Sequence, residues 1–196
     1  MLKRIPEDAI LIPPHAARVF QGIIYDVYQW DQPLFDGSPA RFEMLRRPDT
    51  VSAICVTDDG IVVINDEQPH RGQRLSFPGG RVDEEDADIM TAAQREVLEE
   101  TGYTFQHWRL VKVWQPQAKI EWFIYLYIAW GMVTRSDPHL DAGEKITLEH
   151  RTFEEVLQLV LKKSGVLGEI GTVFETVKNT DELLALPQFE GKEIER

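Results

Sequence analysis

The chain has 196 residues, 43% hydrophobic and 28% charged, with a formal net charge of −12, which is enough apolar material for one core with appendages and too little for two full domains. So acidic a surface argues against a grip on a nucleic acid polymer or an anionic membrane, both of which call for basic patches. A single cysteine, Cys55, excludes a disulfide within the chain, and the five histidines show no metal-ligand spacing, so a zinc site fits poorly.

The N-terminal run Met1-Leu2-Lys3-Arg4-Ile5-Pro6 has no long apolar region, and the longest apolar run, Trp122 to Trp130, is nine residues, about half of what a membrane-crossing helix needs. A soluble cytoplasmic protein is the expectation. Apolar alternation and β-branched content predict strands near Ala17 to Trp30 and Ala40 to Leu45, with an Asp36-Gly37 turn between them. Residues 1–48 thus read as an N-terminal extension of antiparallel strands. Such a pair is marginal alone and must pack on something. Its aromatic density, from Phe20, Tyr25, Tyr28, Trp30, Phe35 and Phe42, fits either its own core or the interface of a homodimer.

Further strands are expected over Thr50 to Val56 and Ile61 to Asn65, closed into a hairpin by Asp58-Asp59-Gly60. Cys55 lies inside the first of these, where a small buried hydrophobe is a better reading than a nucleophile. Phe77-Pro78-Gly79-Gly80 then forms a turn whose glycines let the backbone approach a ligand or ion. A helix is predicted from about Asp88 to Thr101, stopped by Gly102 as a left-handed cap, with Met90, Ala93 and Val97 as its buried stripe. On that helix Glu96 and Glu100 stand one turn apart with Glu99 beside them. Each close like-charge pair costs about 0.2–0.5 kcal/mol on an exposed helix, and Arg95 offsets only part of it. Three hard carboxylates on one edge call for a hard divalent cation such as Mg2+.

The sequence from Gly80 to Tyr103 resembles the box of the Nudix hydrolases, a Gly, five residues, a Glu, seven residues, then Arg-Glu-apolar-any-Glu-Glu-any-Gly-apolar. The second half matches throughout from Arg95 to Tyr103, whereas in the first half Asp86 stands where Glu is expected and eight residues rather than seven precede Arg95. An extra loop residue accounts for this, with Asp86 or Glu85 taking the early acidic role. The resemblance implies an α/β fold, a Nudix-type α/β/α sandwich with a mixed sheet, N-terminal antiparallel strands and C-terminal helices. It also implies Mg2+, with Mn2+ as a substitute, bound by Glu96, Glu99, Glu100 and the Gly80 carbonyl, while Arg95 orients the glutamates. Glu67-Gln68 and the N-terminal extension resemble the ADP-ribose and ADP-sugar pyrophosphatases within that family. That subgroup implies a small nucleotide substrate and a homodimer. Isopentenyl diphosphate isomerase shares the fold but needs an activated cysteine, and Cys55 is badly placed for one.

Beyond the box, strands are expected over Leu110 to Trp114, Trp122 to Trp130 and Lys145 to Arg151. Thr152-Phe153-Glu154-Glu155 is a capping box opening a helix to about Lys163, stopped at Ser164-Gly165. A helix near Ile170 to Lys178 and a short one from Thr180 follow, so that residues 49–163 form the catalytic core and 164–196 a helical appendage of the same domain. Asp141 to Ile146 resembles the loop that supplies a catalytic glutamate in ADP-ribose pyrophosphatases, which makes Glu144 the candidate general base beside Glu99 and Arg95 as catalytic residues. Arg71 and Arg74 are candidates for phosphate contact, Arg46 and Arg47 for a terminal ribose or a partner subunit, and Trp114 for stacking on a base. The function expected is metal-dependent hydrolysis of a nucleoside diphosphate derivative, ADP-ribose or a nucleotide sugar. The alternatives are a nucleotide-sensing module that kept the fold without turnover, or hydrolysis of NADH, coenzyme A or a nucleoside triphosphate.

Overall fold

The structure is a computed structural model that describes residues 1–69, 72–140, 143, 145–161 and 163–195. In chain order its elements are β1 (Leu2–Ile5), β2 (Ala17–Gln21), β3 (Asp26–Pro33), β4 (Pro39–Arg46), β5 (Thr50–Thr57), β6 (Gly60–Gln68), β7 (Gly72–Ser76), α1 (Ile89–Thr101), β8 (Tyr103–Trp114), β9 (Ile120–Glu121), β10 (Ile124–Arg135), β11 (Lys145–Arg151), α2 (Phe153–Val160), α3 (Gly165–Phe174), α4 (Thr180–Leu184) and β12 (Lys192–Glu195).

The central sheet runs β11-β6-β5-β10-β8, with β7 paired to the far half of β6. Only β5 and β10 among these pairs are parallel, so the sheet is mixed. Strict alternation along its middle strands divides the core in two. Val51, Ala53 and Cys55 of β5 and Tyr125, Tyr127 and Ala129 of β10 face α1. Ile54, Ile124, Leu126 and Ile128 face the opposite layer, made by α2, α3 and α4. The result is the expected α/β/α sandwich.

A second, four-stranded sheet, β2-β3-β4-β9, holds a small core of Ile12, Trp30 and Met44. The single strand expected over Ala17 to Trp30 is in fact two. A turn closed by the Gly22 N–H to the Tyr25 carbonyl, 3.0 Å, separates β2 from β3. Chain ends pair as β1 with β12, which brings Ile5 into the main core.

The helices are cut where the capping chemistry says. Asp88 accepts the Thr91 N–H at 2.7 Å to start α1, and Gly102, at φ 72°, ends it with its own N–H on the Leu98 carbonyl. A left-handed residue is needed there, and glycine takes it without a Cβ penalty. The buried stripe is Ile89, Ala92, Ala93 and Val97, not one led by Met90, which is exposed. One residue is about 100° of helix rotation, enough to carry Met90 off the face. Thr152 and Glu155 form the expected capping box, but α2 ends at Val160 and Ser164 is the N-cap of α3 rather than a stop. Helix α3 therefore begins five residues before the expected Ile170. Its glycines lower helix propensity, and burial of Leu167, Ile170 and Phe174 against Val156 and Val160 overrides them.

Candidate active site

The site grows out of a fork in the sheet. Strand β6 pairs with β5 over Ile61 and Val62, then from Ile64 onward with β7 instead. The chain from Pro78 to Val82 runs along the freed edge of β5, with Val51 N–H on the Gly80 carbonyl (2.9 Å), Ala53 N–H on the Pro78 carbonyl (2.8 Å) and Val82 N–H on the Asp49 carbonyl (2.9 Å). Asp49 is itself held by the Phe123 N–H and the Lys3 ammonium, each at 2.8 Å. A cleft of about 510 Å³ opens here, with the glutamate edge of α1 on one wall and the ends of β6 and β7 on the other.

Arg95 organises the glutamate wall. Its Nε and one Nη grip both oxygens of Asp86 at 3.0 Å, the same Nη reaches the Arg81 carbonyl at 2.9 Å, and the other Nη bridges Glu96 (2.9 Å) and Glu99 (3.0 Å). A guanidinium has five N–H donors, and all five are spent. Arg95 therefore spends its donors on carboxylates and one main-chain carbonyl and keeps none for a substrate. Of the two early acidic residues, Asp86 rather than Glu85 is the one that Arg95 grips. It also accepts the Asp83 N–H at 2.8 Å, is buried, and Arg95's hydrogen bonds hold its carboxyl below the usual carboxylate range.

Glu96 is largely buried, and that burial, reinforced by the charges of Glu99 and Asp83, pushes its carboxyl up to about 7 in spite of Arg95. Glu100 is 7% exposed and accepts the Gly79 N–H at 2.7 Å. A Cβ built on Gly80 would run into the Glu96 carboxylate, so only glycine leaves that pocket open. Among the described residues no three ligating side chains already converge, because Arg95 lies between Glu96 and Glu99. The donor set still suits a hard divalent ion: three carboxylates on one helix edge, one reluctant to ionise without a cation, beside a glycine cradle.

Arg74 also lines the cleft, and so does Arg47, with its guanidinium 4.4 Å from the Trp122 ring centroid and 5.7 Å from that of Tyr25. The Nε of Arg47 is buried with no hydrogen-bond partner among the described residues. Arg46 is turned away, paired with Glu121 at 2.7 Å and the Tyr28 hydroxyl at 3.1 Å. Trp114 is placed in the core beside α3 rather than on the cleft, so it presents no stacking face there. Arg46 sits next to Arg47 and faces the other way, as neighbours on an extended chain do, whereas Trp114 and both its neighbours lie away from the cleft altogether. Arg71 and Glu144 lie outside the described residues.

Cys55 is fully buried, and burial drives its thiol far above the ordinary value, which makes it a packing residue. Ile64, Asp66 and Gln68 of β6 face the cleft in alternation, and so does His139 beyond β10. Gln68 was noted from the sequence only as part of the Glu67-Gln68 pair, and none of the four was named as a site residue. The period-two spacing of Asp66 and Gln68 is the signal that could have found them, while nothing local marks His139.

Residues 46–170 match the sequence model of the NUDIX domain. The chain is 28% identical over 151 residues to the methanol dehydrogenase activator of Bacillus methanolicus, covering 74% of this chain and 80% of that protein. It is 28% identical over 149 residues to the ADP-ribose pyrophosphatase of Bacillus subtilis (strain 168), covering 73% of this chain and 79% of that one. The crystal structure of an ADP compounds hydrolase superposes with a TM-score of 0.66 at 15% identity, over 95% of this chain and all of the other, which speaks for the fold. With its box, its sandwich and a domain match over most of its length, the chain belongs to the NUDIX family and is a Nudix hydrolase.

Proposed function

We propose that the protein hydrolyses the diphosphate linkage of a nucleoside diphosphate derivative, ADP-ribose or another nucleotide sugar, into a nucleoside monophosphate and a sugar phosphate. The observation that carries this reading is that three helix carboxylates, Glu96, Glu99 and Glu100, and the arginines Arg47 and Arg74 line one and the same cleft. Likeness to the ADP-ribose pyrophosphatase of Bacillus subtilis supports the substrate class.

Nudix hydrolases generally use a divalent metal, and here Mg2+, or Mn2+ in its place, is assigned to Glu96, Glu99, Glu100 and the second lone pair of the Gly80 carbonyl. When bound, such an ion neutralises phosphoryl oxygens and makes water a better nucleophile near neutral pH. Arg95, fixed by Asp86, holds Glu96 and Glu99 in place. Arg74 and Arg71 are assigned to the phosphates, and Arg47, on its Trp122 shelf, to the nucleoside or ribose end. Arg46 serves by position, tying β4 to Glu121 so that Arg47 enters the cleft. Glu144 is assigned as the base that takes a proton from the attacking water; the oxygen of that water bonds to phosphorus as the anhydride P–O bond breaks.

A homodimer through the four-stranded N-terminal sheet belongs to the same reading. All five residues of β2 are exposed in the single chain, and Phe20, Ile23 and Ile24 are bare beside Tyr25, which neighbours Arg47. The test of function is a substrate panel of ADP-ribose, other ADP- and GDP-sugars, NADH, coenzyme A and nucleoside triphosphates, with Mg2+ compared with Mn2+ and products identified by mass spectrometry. Preferred cleavage of ADP-ribose or a nucleotide sugar is expected. Turnover confined to nucleoside triphosphates would overturn the substrate class.

A further inference from the structure

On the reading of the cleft as a diphosphate hydrolase site, we propose that His139 is a substrate-contact residue that donates a hydrogen bond from its imidazole to a phosphoryl oxygen of the bound diphosphate. Most of the donors on the glutamate wall are already taken. On the glutamate wall Glu96, Glu99, Glu100 and Asp83 only accept when ionised. All five N–H donors of Arg95 are spent and the Gly79 N–H is on Glu100, while Arg81 gives its Nε to Asp83 at 2.7 Å and keeps its two Nη groups for other partners. A diphosphate carries several acceptor oxygens, and each one left without a donor or a cation loses its hydration without replacement.

His139 brings an uncommitted donor to that wall. Its exposed imidazole lines the cleft and has no hydrogen-bond partner among the described residues. Its backbone is nevertheless fixed. The N–H of His139 is on the Glu99 carbonyl at 2.8 Å, and Ser136 gives both its N–H (2.9 Å) and its hydroxyl (3.0 Å) to the Gly102 carbonyl. Residues 136–139 thus cap the C-terminal carbonyls of α1, which need partners in any case. The ring is thereby registered to the same helix that carries Glu96, Glu99 and Glu100. A donor held by backbone to that helix keeps its distance from those carboxylates as the cleft fills.

The test measures binding of α,β-methylene ADP-ribose, whose bridge cannot be cleaved, by calorimetry in Mg2+ to the full chain and to H139A, H139Q and H139N, together with kcat and KM on ADP-ribose. Glutamine places an N–H near the position of Nε2 and asparagine near that of Nδ1, so one of the two keeps the bond. H139A is expected to weaken analogue binding by about tenfold, and the matching amide to restore it to within about threefold. Melting temperatures should stay within about 2 °C, since the exposed ring carries no core contact. Unchanged affinity in H139A, or losses in both amide variants equal to that of alanine, would overturn the assignment of His139 alone. Failure of the unmodified chain to bind the analogue and to cleave any diphosphate in the panel would overturn the diphosphate reading together with it.

Discussion

Replacing Glu96 by glutamine should separate stability from activity in opposite directions. The folded chain pushes this carboxyl up to about 7 from an ordinary 4.5, chiefly by burial, with Glu99 and Asp83 adding to it. A gap of that size corresponds to on the order of 3 kcal/mol between the two protonation states, and relaxation of the site will leave about 1–3 kcal/mol. The sign follows from which state binds the proton more tightly. Below pH 4.5 the carboxyl is protonated in both states and costs nothing; between 4.5 and 7 the unfolded chain ionises first and native stability falls; above 7 the full penalty applies. Glutamine is neutral throughout and still offers an oxygen to Arg95. In a chelator at pH 8, E96Q should therefore melt about 2–10 °C above the parent, and the advantage should vanish by about pH 4. Turnover in saturating Mg2+ should fall by at least about a hundredfold, because a metal-binding charge is gone. Calorimetric melts from pH 4 to 8, paired with phosphate-release kinetics, measure both. An E96Q protein that is less stable than the parent at pH 8 without metal, or that turns over normally, would refute the reasoning.

Asp86→Asn should cost on the order of 2 kcal/mol at pH 7 by breaking the two-pronged grip on Arg95. Asp86 has a lowered carboxyl pKa, so its contribution is present above the ordinary value of 3.8 and is lost as pH falls through the folded one; the two proteins should converge in acid, and a gap that persisted there would count against the pairing. Glu144→Gln should lower kcat at least about tenfold with KM within about threefold, as expected of a base that acts while water attacks; a change in KM alone would remove Glu144 from that role. The full chain should sediment as a dimer at micromolar concentration, and F20D with I23D should make it monomeric without unfolding it, since both side chains are exposed in the single chain. A monomeric parent, or a dimeric double variant, would dismiss the N-terminal sheet as the interface.

What could be read from the residues was local chemistry. Helix α1 was legible because its cap residues, Asp88 and Gly102, and its apolar spacing act within one turn or two. The capping box at Thr152 and the Asp58-Asp59-Gly60 hairpin were legible for the same reason. A count of residues could not choose between Asp86 and Glu85, because the bond that singles out Asp86 joins it to Arg95 nine residues on. What was hidden depends on distant pairings. Strands β1 and β12 are short, half-exposed and joined only to each other, so neither carries a pattern of its own. Burial of Trp114 is decided by α3, some fifty residues on, and the cleft position of His139 by a backbone bond to Glu99.

The main-chain bonds that hold residues 78–82 against β5 make the signature segment a sequence of anchored pieces rather than one rigid string. At one end the amides of Val51, Ala53 and Val82 belong to a strand-like ladder and should exchange with solvent as slowly as those of the central sheet. At the other end α1 is fixed by the Asp88 cap. Between them, residues 83–87 form only a turn, closed by Asp86 N–H on the Asp83 carbonyl at 3.3 Å. Length variation belongs in that spacer. An inserted residue there shifts neither glycine nor glutamate, provided that one acidic side chain still reaches Arg95. Lineages can therefore lengthen or shorten the interval while the carboxylate edge stays where it was, and a motif defined by fixed spacing will miss members whose three-dimensional site is intact.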